Sequence, residues 1–461
     1  MKDNKIYMLA YFILAFFPYI LYGQEDKSQE LNTLLNEGKY FDSRKLYKEI
    51  CDVISPDMDL FYKFQMAQFM NKDDSAAIYM EKILIDYPDM FGDNTMFAYA
   101  RLFDIYAVSL RNYEKSVYTH KRMVQHLIDN PYNLDEKELT LWRNGNITRV
   151  DYLKQLINQL PIKIKRRGVN NFVNLDTNEA RLIVDTRING IAQKILIDTG
   201  CDFHYIMNRK KADDLGLECA VFEMSKGVIN DTEVLMKQTV VDSIEIGNII
   251  VYNVPTTIFE HDITVFLPDS IKNRKEDVAQ IDSIYMNTVS SAIGLPIMKL
   301  IGKFLIDYEN QKLSFPITDY HLNSLIESNL FIYTSYLYTH LKLNEKDFIG
   351  MLDTGFDNYI TIDTLFYKKY RDDIPSAIVK TEPYYIMMAH RLWNDDSYKI
   401  VCNPMLEFNN KPMLPPTENS VKIYTLHPWK YLDGIIGYDF FKKIGKRVLL
   451  DLDNMRLEAI E

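Results

Sequence analysis

Cysteine is scarce, with four residues in a chain of 461, too few for a disulfide scaffold. Histidine is also sparse, at eight residues, and none sits in a His-Glu-x-x-His pair, which argues against a zinc hydrolase. No Gly-x-Ser-x-Gly occurs, so a serine-hydrolase elbow is absent. Positive charge is in deficit: 53 Lys and Arg face 64 Asp and Glu, for a net charge of −11. Such a surface repels phosphate backbones, so nucleic acid is not expected as the main ligand. After the first two dozen residues, no stretch approaches the ~20 apolar residues that a bilayer span needs. What remains is the composition of a folded protein: 47% hydrophobic, 13% aromatic and 25% charged. Low-complexity, collagen-like and disordered chains are thereby excluded. Length alone sets a soft expectation of about three domains.

Lys2 and Lys5 precede an uncharged apolar run from Ile6 to Tyr22, which ends at Gly23-Gln24-Glu25-Asp26. A basic start, an apolar centre and a small residue before a polar segment describe a signal peptide over residues 1–23. The mature protein is expected to be exported, periplasmic or secreted, in an oxidising compartment and with no membrane span after cleavage. Leu21 is large for its place before the cleavage site, so an uncleaved N-terminal anchor is the alternative. The first cysteine is Cys51, which argues against a lipid-modified N-terminus.

Residues 24–165 read as helical, with few glycines and apolar residues recurring at three and four. Three stretches look alike, each a short turn followed by a helix. They begin at Gly38-Lys39-Tyr40, Asn71-Lys72-Asp73 and Arg111-Asn112-Tyr113. Their spacing of roughly 34 and 40 residues resembles tetratricopeptide helical hairpins. Such a segment offers a concave surface to a peptide or partner protein, or serves as a prodomain or spacer. Lys163, Lys165, Arg166 and Arg167 read as a solvated linker at its end.

From about Asn170 the pattern changes to alternating apolar and polar residues with turn signals, which is β-rich. Two segments match without a gap at an offset of 155: Leu182 to Gly200 and Leu337 to Gly355. Leu182 falls on Leu337, Asn189 on Asn344, and Asp198-Thr199-Gly200 on Asp353-Thr354-Gly355. Each reads as a hairpin turning at its Asn and delivering an Asp at the end of the second strand. Downstream, Ala292-Ile293-Gly294 matches Ile435-Ile436-Gly437. Asp307, Asn310 and Leu313 then match Asp451, Asn454 and Leu457. The fold class expected is α+β multidomain: helical repeats, then an all-β bilobal unit with lobes over 170–325 and 326–461.

The paired Asp-Thr-Gly motifs, each followed by an apolar-apolar-Gly strand, resemble those of retropepsin- and pepsin-like aspartic peptidases. Asp433-Gly434-Ile435-Ile436-Gly437-Tyr438-Asp439-Phe440-Phe441 is similar to the C-terminal motif of bacterial retropepsin-like proteins. The resemblance covers residues 170–461 and implies an aspartic endopeptidase with Asp198 and Asp353 as the catalytic pair. Two carboxylates at close range share a proton, and together they act as base and acid on a water and a scissile carbonyl. No metal or other cofactor is required, and the partner implied is a peptide or protein substrate. By the same resemblance, Thr199 and Thr354 reach across to the opposite loop. Gly200 and Gly355 permit tight turns, and Ile293, Gly294, Ile436 and Gly437 lie beside the catalytic loops. A flap over an extended substrate is expected near Gly227, with a counterpart near His390-Arg391-Leu392-Trp393.

Three residues depart from the family pattern. Cys201 and Phe356 stand where a small residue is usual, and His204 follows closely. Cys201 with His204 fits no thiol-nucleophile spacing, although a Cys201–Cys219 bridge is open in an exported protein. The alternative function is a non-catalytic peptide- or partner-binding protein with a degenerate cleft.

Overall fold

The computed structural model describes residues 25–130, 160–168, 172–175, 181–218, 220–229, 232–259, 291–317, 327–333, 335–388, 391–415, 420–424 and 433–460, with a few positions between them. The run 1–23, read as a signal peptide, lies outside the described residues, as do Cys219 and His390. The chain divides into two units: Met1–Pro161 with Phe331–Thr334, and Ile162–Leu330 with Ser335–Glu461.

The described part of the first unit contains helices α1 (Glu25–Asn36), α2 (Tyr40–Ile50), α3 (Pro56–Phe69), α4 (Asp73–Asp86), α5 (Thr95–Asp104) and α6 (Tyr113–Asp129). The three look-alike turns share one backbone device. Gly38, Asn71 and Arg111 all have left-handed φ, at 68°, 57° and 51°. Lys39 N–H donates to Leu34 O at 2.9 Å, and Lys72 N–H donates to Ala67 O at 2.8 Å. These bonds close Schellman caps, which satisfy the carbonyls of one helix and aim the chain into the next. Pro56 opens α3, where its missing N–H costs nothing. The apolar faces bury Leu31, Phe61, Phe64, Met80 and Ile83. Tyr40 meets Phe69 edge-on at 5.6 Å and stacks on Phe331 at 5.2 Å. Among the described residues, no helix is long and apolar enough to cross a membrane.

The second unit is β-rich and built twice. Its first half contains β1 (Lys163–Arg166), β2 (Phe172–Asn174), β3 (Ile183–Ile188), β4 (Ile191–Asp198) and β5 (Tyr205–Asn208). Then come α7 (Arg209–Asp214), β6 (Ala220–Ile229), β7 (Thr232–Ile246), β8 (Ile249–Phe259), β9 (Ser291–Gly294), α8 (Leu295–Ile301), β10 (Lys303–Asp307) and β11 (Lys312–Ser314). After β12 (Leu330–Tyr333), which apart from Leu330 belongs to the first unit, the second half opens with β13 (Tyr336–Leu343), β14 (Lys346–Asp353), β15 (Ile360–Asp363) and α9 (Thr364–Lys369). It continues with β16 (Ser376–Met388), β17 (Arg391–Val401), β18 (Leu406–Phe408), β19 (Lys411–Met413) and β20 (Val421–Tyr424). It closes with β21 (Gly434–Gly437), α10 (Tyr438–Ile444), β22 (Arg447–Asp451) and β23 (Arg456–Ala459). This is the expected α+β arrangement, a helical region followed by a β-rich bilobal one.

In the first lobe, eight strands run in the order β1-β8-β5-β9-β4-β3-β7-β6. The strand Lys163–Arg166 corrects the linker reading of the basic cluster. It pairs with β8, and the Arg166 guanidinium donates to Ile301 O at 2.8 Å and Phe315 O at 3.1 Å. The second lobe runs β16-β17-β20-β15-β21-β14-β13-β18-β19. A third sheet, β2-β11-β10-β22-β23, takes strands from both halves. At its centre, β10 and β22 pair antiparallel, with Leu305 opposite Leu449 and Lys303 opposite Asp451. A local two-fold therefore passes between the two leucines.

The equivalent hairpins β3–β4 and β13–β14 turn on Asn189-Gly190 and Asn344-Glu345, and all four residues have positive φ. That is the type I′ turn, whose twist matches that of the flanking strands. Each Asn also pins its hairpin tip to a neighbouring strand or loop. Asn189 Oδ1 accepts from Ser243 N at 3.0 Å, and Asn344 Oδ1 accepts from Met405 N at 2.8 Å. The final turns of the halves repeat another device: Asp307 Oδ1 accepts from Asn310 N–H at 2.8 Å, as Asp451 Oδ1 accepts from Asn454 N–H at 3.0 Å.

Candidate active site

Strands β4 and β14 deliver Asp198 and Asp353 at their C-terminal ends. Each runs parallel to a short buried strand, with Asp198 in register with Gly294 and Asp353 with Gly437. Ile293 and Ile436, one residue earlier, are buried beneath the loops. The loops are tied from below in matching ways. Cys201 O accepts from Leu295 N at 2.8 Å, and Phe356 O accepts from Tyr438 N at 2.9 Å. A Cβ on Gly294 would lie 2.1 Å from Phe203 O, and one on Gly437 would lie 1.9 Å from Asn358 O. Only glycine permits this approach of strand to loop.

The two loops meet through their threonines. Thr199 Oγ1 donates to Leu352 O at 2.7 Å, and Thr354 Oγ1 donates to Ile197 O at 2.7 Å. Thr199 N–H donates to Thr354 Oγ1 at 3.0 Å, and Thr354 N–H returns the bond to Thr199 Oγ1 at 3.0 Å. Both threonines are fully buried. Four hydrogen bonds related by the offset of 155 therefore lock residues that are distant in sequence.

That lock brings the two carboxyl groups close enough for each to perturb the other's titration. Each is also held within its own loop: Gly200 N–H donates to Asp198 Oδ1 at 2.8 Å, and Gly355 N–H donates to Asp353 Oδ1 at 2.9 Å. Both loops turn tightly, with Cys201 N–H donating to Asp198 O at 3.3 Å and Phe356 N–H to Asp353 O at 3.1 Å, but neither Gly200 nor Gly355 has a left-handed φ, so the turn is not what demands glycine. A Cβ on Gly200 would sit 2.5 Å from Asp353 Cγ, and one on Gly355 would sit 2.6 Å from Asp198 Oδ2. These glycines make room for the opposite carboxylate.

Burial drives the electrostatics. It pushes both carboxyls above the ordinary range, and the Asp198 charge pushes Asp353 further. A carboxyl shifted in this direction releases its proton at higher pH than an isolated one. The Arg181 guanidinium opposes this and lowers both. Arg181 Nη2 lies 3.4 Å from Asp357 Oδ2, an ion pair that links the two halves beside the carboxylates. Sequence reading missed Arg181, which immediately precedes the first matching segment and falls on Tyr336 in the second.

The departing residues find ordinary places. Cys201 is a free thiol whose pKa burial pushes up, with the charges of Asp198 and Asp202 adding to it, so it stays protonated. His204 contributes its carbonyl, which accepts from Gly294 N at 3.2 Å. Phe356 is buried. Gly227 lies in the long β6–β7 hairpin opposite Val234, and Leu392 and Trp393 lie in the β16–β17 hairpin opposite Met387 and Ile386.

Residues 184–267 match the family described as "gag-polyprotein putative aspartyl protease". Among solved structures, the chain is similar to a retropepsin-like aspartic protease from Rickettsia conorii, at 12% identity and a TM-score of 0.22, covering 32% of this chain and 99% of that one. It is also similar to Basic 7S globulin from soybean, at 11% identity and a TM-score of 0.31, covering 64% of this chain and 94% of that one. No curated protein matches the chain. The family match spans β4 and the first Asp-Thr-Gly, so a segment similar to an aspartyl protease follows the N-terminal helical segment.

Proposed function

We propose that the second unit hydrolyses peptide bonds, using Asp198 and Asp353 to activate a water. The observation that carries this reading is the approach of two half-buried carboxyls at the tips of duplicated strands, held together by the Thr199–Thr354 bonds. With one proton between them, one member is ionised and the other protonated. The ionised carboxylate takes a proton from water as its oxygen attacks the scissile carbonyl carbon. The protonated carboxyl gives its proton to the carbonyl oxygen. The tetrahedral diol then collapses: the C–N bond breaks, the nitrogen gains a proton, and an acid and an amine leave. The roles belong to the pair, because the halves are related by a two-fold and the groups titrate together. An extended peptide supplies the matching geometry by adding a strand to the cleft. The apolar run Ile6–Tyr22 supports export as the setting in which this occurs.

The test is cleavage of denatured protein between pH 4 and 7. Asp198→Asn and Asp353→Asn are each expected to lower the rate by about a thousandfold or more while the fold is kept. Binding of peptides without turnover, or full activity in either variant, overturns the reading.

A further inference from the structure

The duplication is faithful in hydrogen bonds and broken in charge. Asp202 and Asp357 are equivalent, each four residues past its Asp-Thr-Gly aspartate. Asp357 has two cations for company. Arg181 pairs with it at 3.4 Å, with a side chain only 18% exposed. Lys422 is held beside it: its Nζ donates to Asn358 Oδ1 at 2.7 Å, and Asp357 favours its charge against burial.

Asp202 has neither. The position equivalent to Arg181 is Tyr336. Strand register gives the position equivalent to Lys422. Thr361 pairs with Lys422 in the second lobe as Ile206 pairs with Thr257 in the first. Thr257 is uncharged, and its hydroxyl accepts from Gln238 Nε2 at 2.7 Å. The charge that bears on Asp202 is that of Asp198, which disfavours its ionised form. One arm of the site therefore carries Arg181, Lys422 and Asp357, and the other carries a half-buried carboxylate with no counter-ion among the described residues.

A carboxylate removed from water without a cation is costly, and a ligand cation recovers that cost. We propose that Asp202 is a specificity-determining residue that selects a Lys or Arg side chain on its side of the scissile bond. The arm around Asp357, already neutralised, would repel a cation and make the preference one-sided. The inference rests on the peptidase reading above.

The test uses peptide twins that differ by Lys or norleucine at single positions on either side of the cleaved bond. For the wild type, kcat/KM is expected to favour the Lys twin by about tenfold on one side only. Asp202→Asn should bring that ratio close to one, and Asp202→Glu should keep most of it. Tyr336→Arg leaves Asp202 in place and supplies the cation that Arg181 gives Asp357; it should also abolish the preference. A wild type that cleaves without a Lys preference overturns the inference and leaves the peptidase reading standing. So does a preference that survives both Asp202→Asn and Tyr336→Arg. A wild type that cleaves no peptide overturns both.

Discussion

Thr199 and Thr354 each donate a hydroxyl to the other's strand and accept the other's amide, at 2.7 and 3.0 Å. Neither residue need touch a substrate. Together they replace water around four buried polar groups and leave the two aspartates one relative position. Thr354→Val removes the donor to Ile197 O and the acceptor for Thr199 N–H at once. Two orphaned buried groups should cost about 2–5 kcal/mol, while Thr354→Ser should cost under ~1 kcal/mol. Denaturant midpoints of the two variants decide this, and a Val variant as stable as the wild type would contradict it.

The glycines of the two motifs face the opposite carboxylate, and that contact predicts a loss of rate. Gly200→Ala places a methyl 2.5 Å from Asp353 Cγ. The aspartate must move, and displacement of a reacting group on this scale should lower kcat/KM by about a hundredfold. The variant should melt cooperatively, so that the loss is one of geometry. Unchanged kinetics would mean that the carboxylates tolerate a looser approach.

Cleavage should depend on pH as a bell. The acidic limb is protonation of the remaining carboxylate, and the alkaline limb is loss of the shared proton. Arg181 lowers both groups, so removing its charge raises them. In Arg181→Gln the alkaline limb should therefore move to higher pH. A kcat/KM profile with that limb unmoved, or moved down, would show that Arg181 acts only through its pair with Asp357.

The raised carboxyls also weaken the fold in a defined window. A group whose folded pKa lies above its unfolded value contributes stability that is full below the unfolded value, about pH 4. That contribution is lost as pH rises through the folded value. Asp353→Asn removes the burial cost and should exceed the wild type in thermal stability at neutral pH. The gap should close as the pH approaches about 3. Melting curves at the two ends test the sign, and a wild type more stable than the variant at neutral pH would reverse it.

Much of this architecture was legible as a repeat. The offset of 155 aligned Asn189 with Asn344 and Asp198 with Asp353, because strand ends and type I′ turns need particular residues at particular places. The match of Asp307 and Asn310 to Asp451 and Asn454 likewise marked two equal turns before their hydrogen bonds were seen. Local chemistry of this kind is written in neighbouring residues.

Other features depend on partners far along the chain, which no local pattern names. The bond from Thr199 to Leu352 O, the space that Gly200 leaves for Asp353, and the pairing of β10 with β22 exist only once the halves meet. The basic cluster at Lys163–Arg166 read as a linker, yet it forms a strand because β8 has an edge for it and two distant carbonyls await Arg166. Sequence alone determined two copies of one module, each ending in an acid. Tertiary packing decided that the acids approach each other, that burial raises them, and that, among the described residues, Asp357 has cations beside it while Asp202 has none. Burial and long-range charge set those outcomes, and both are properties of the assembled fold.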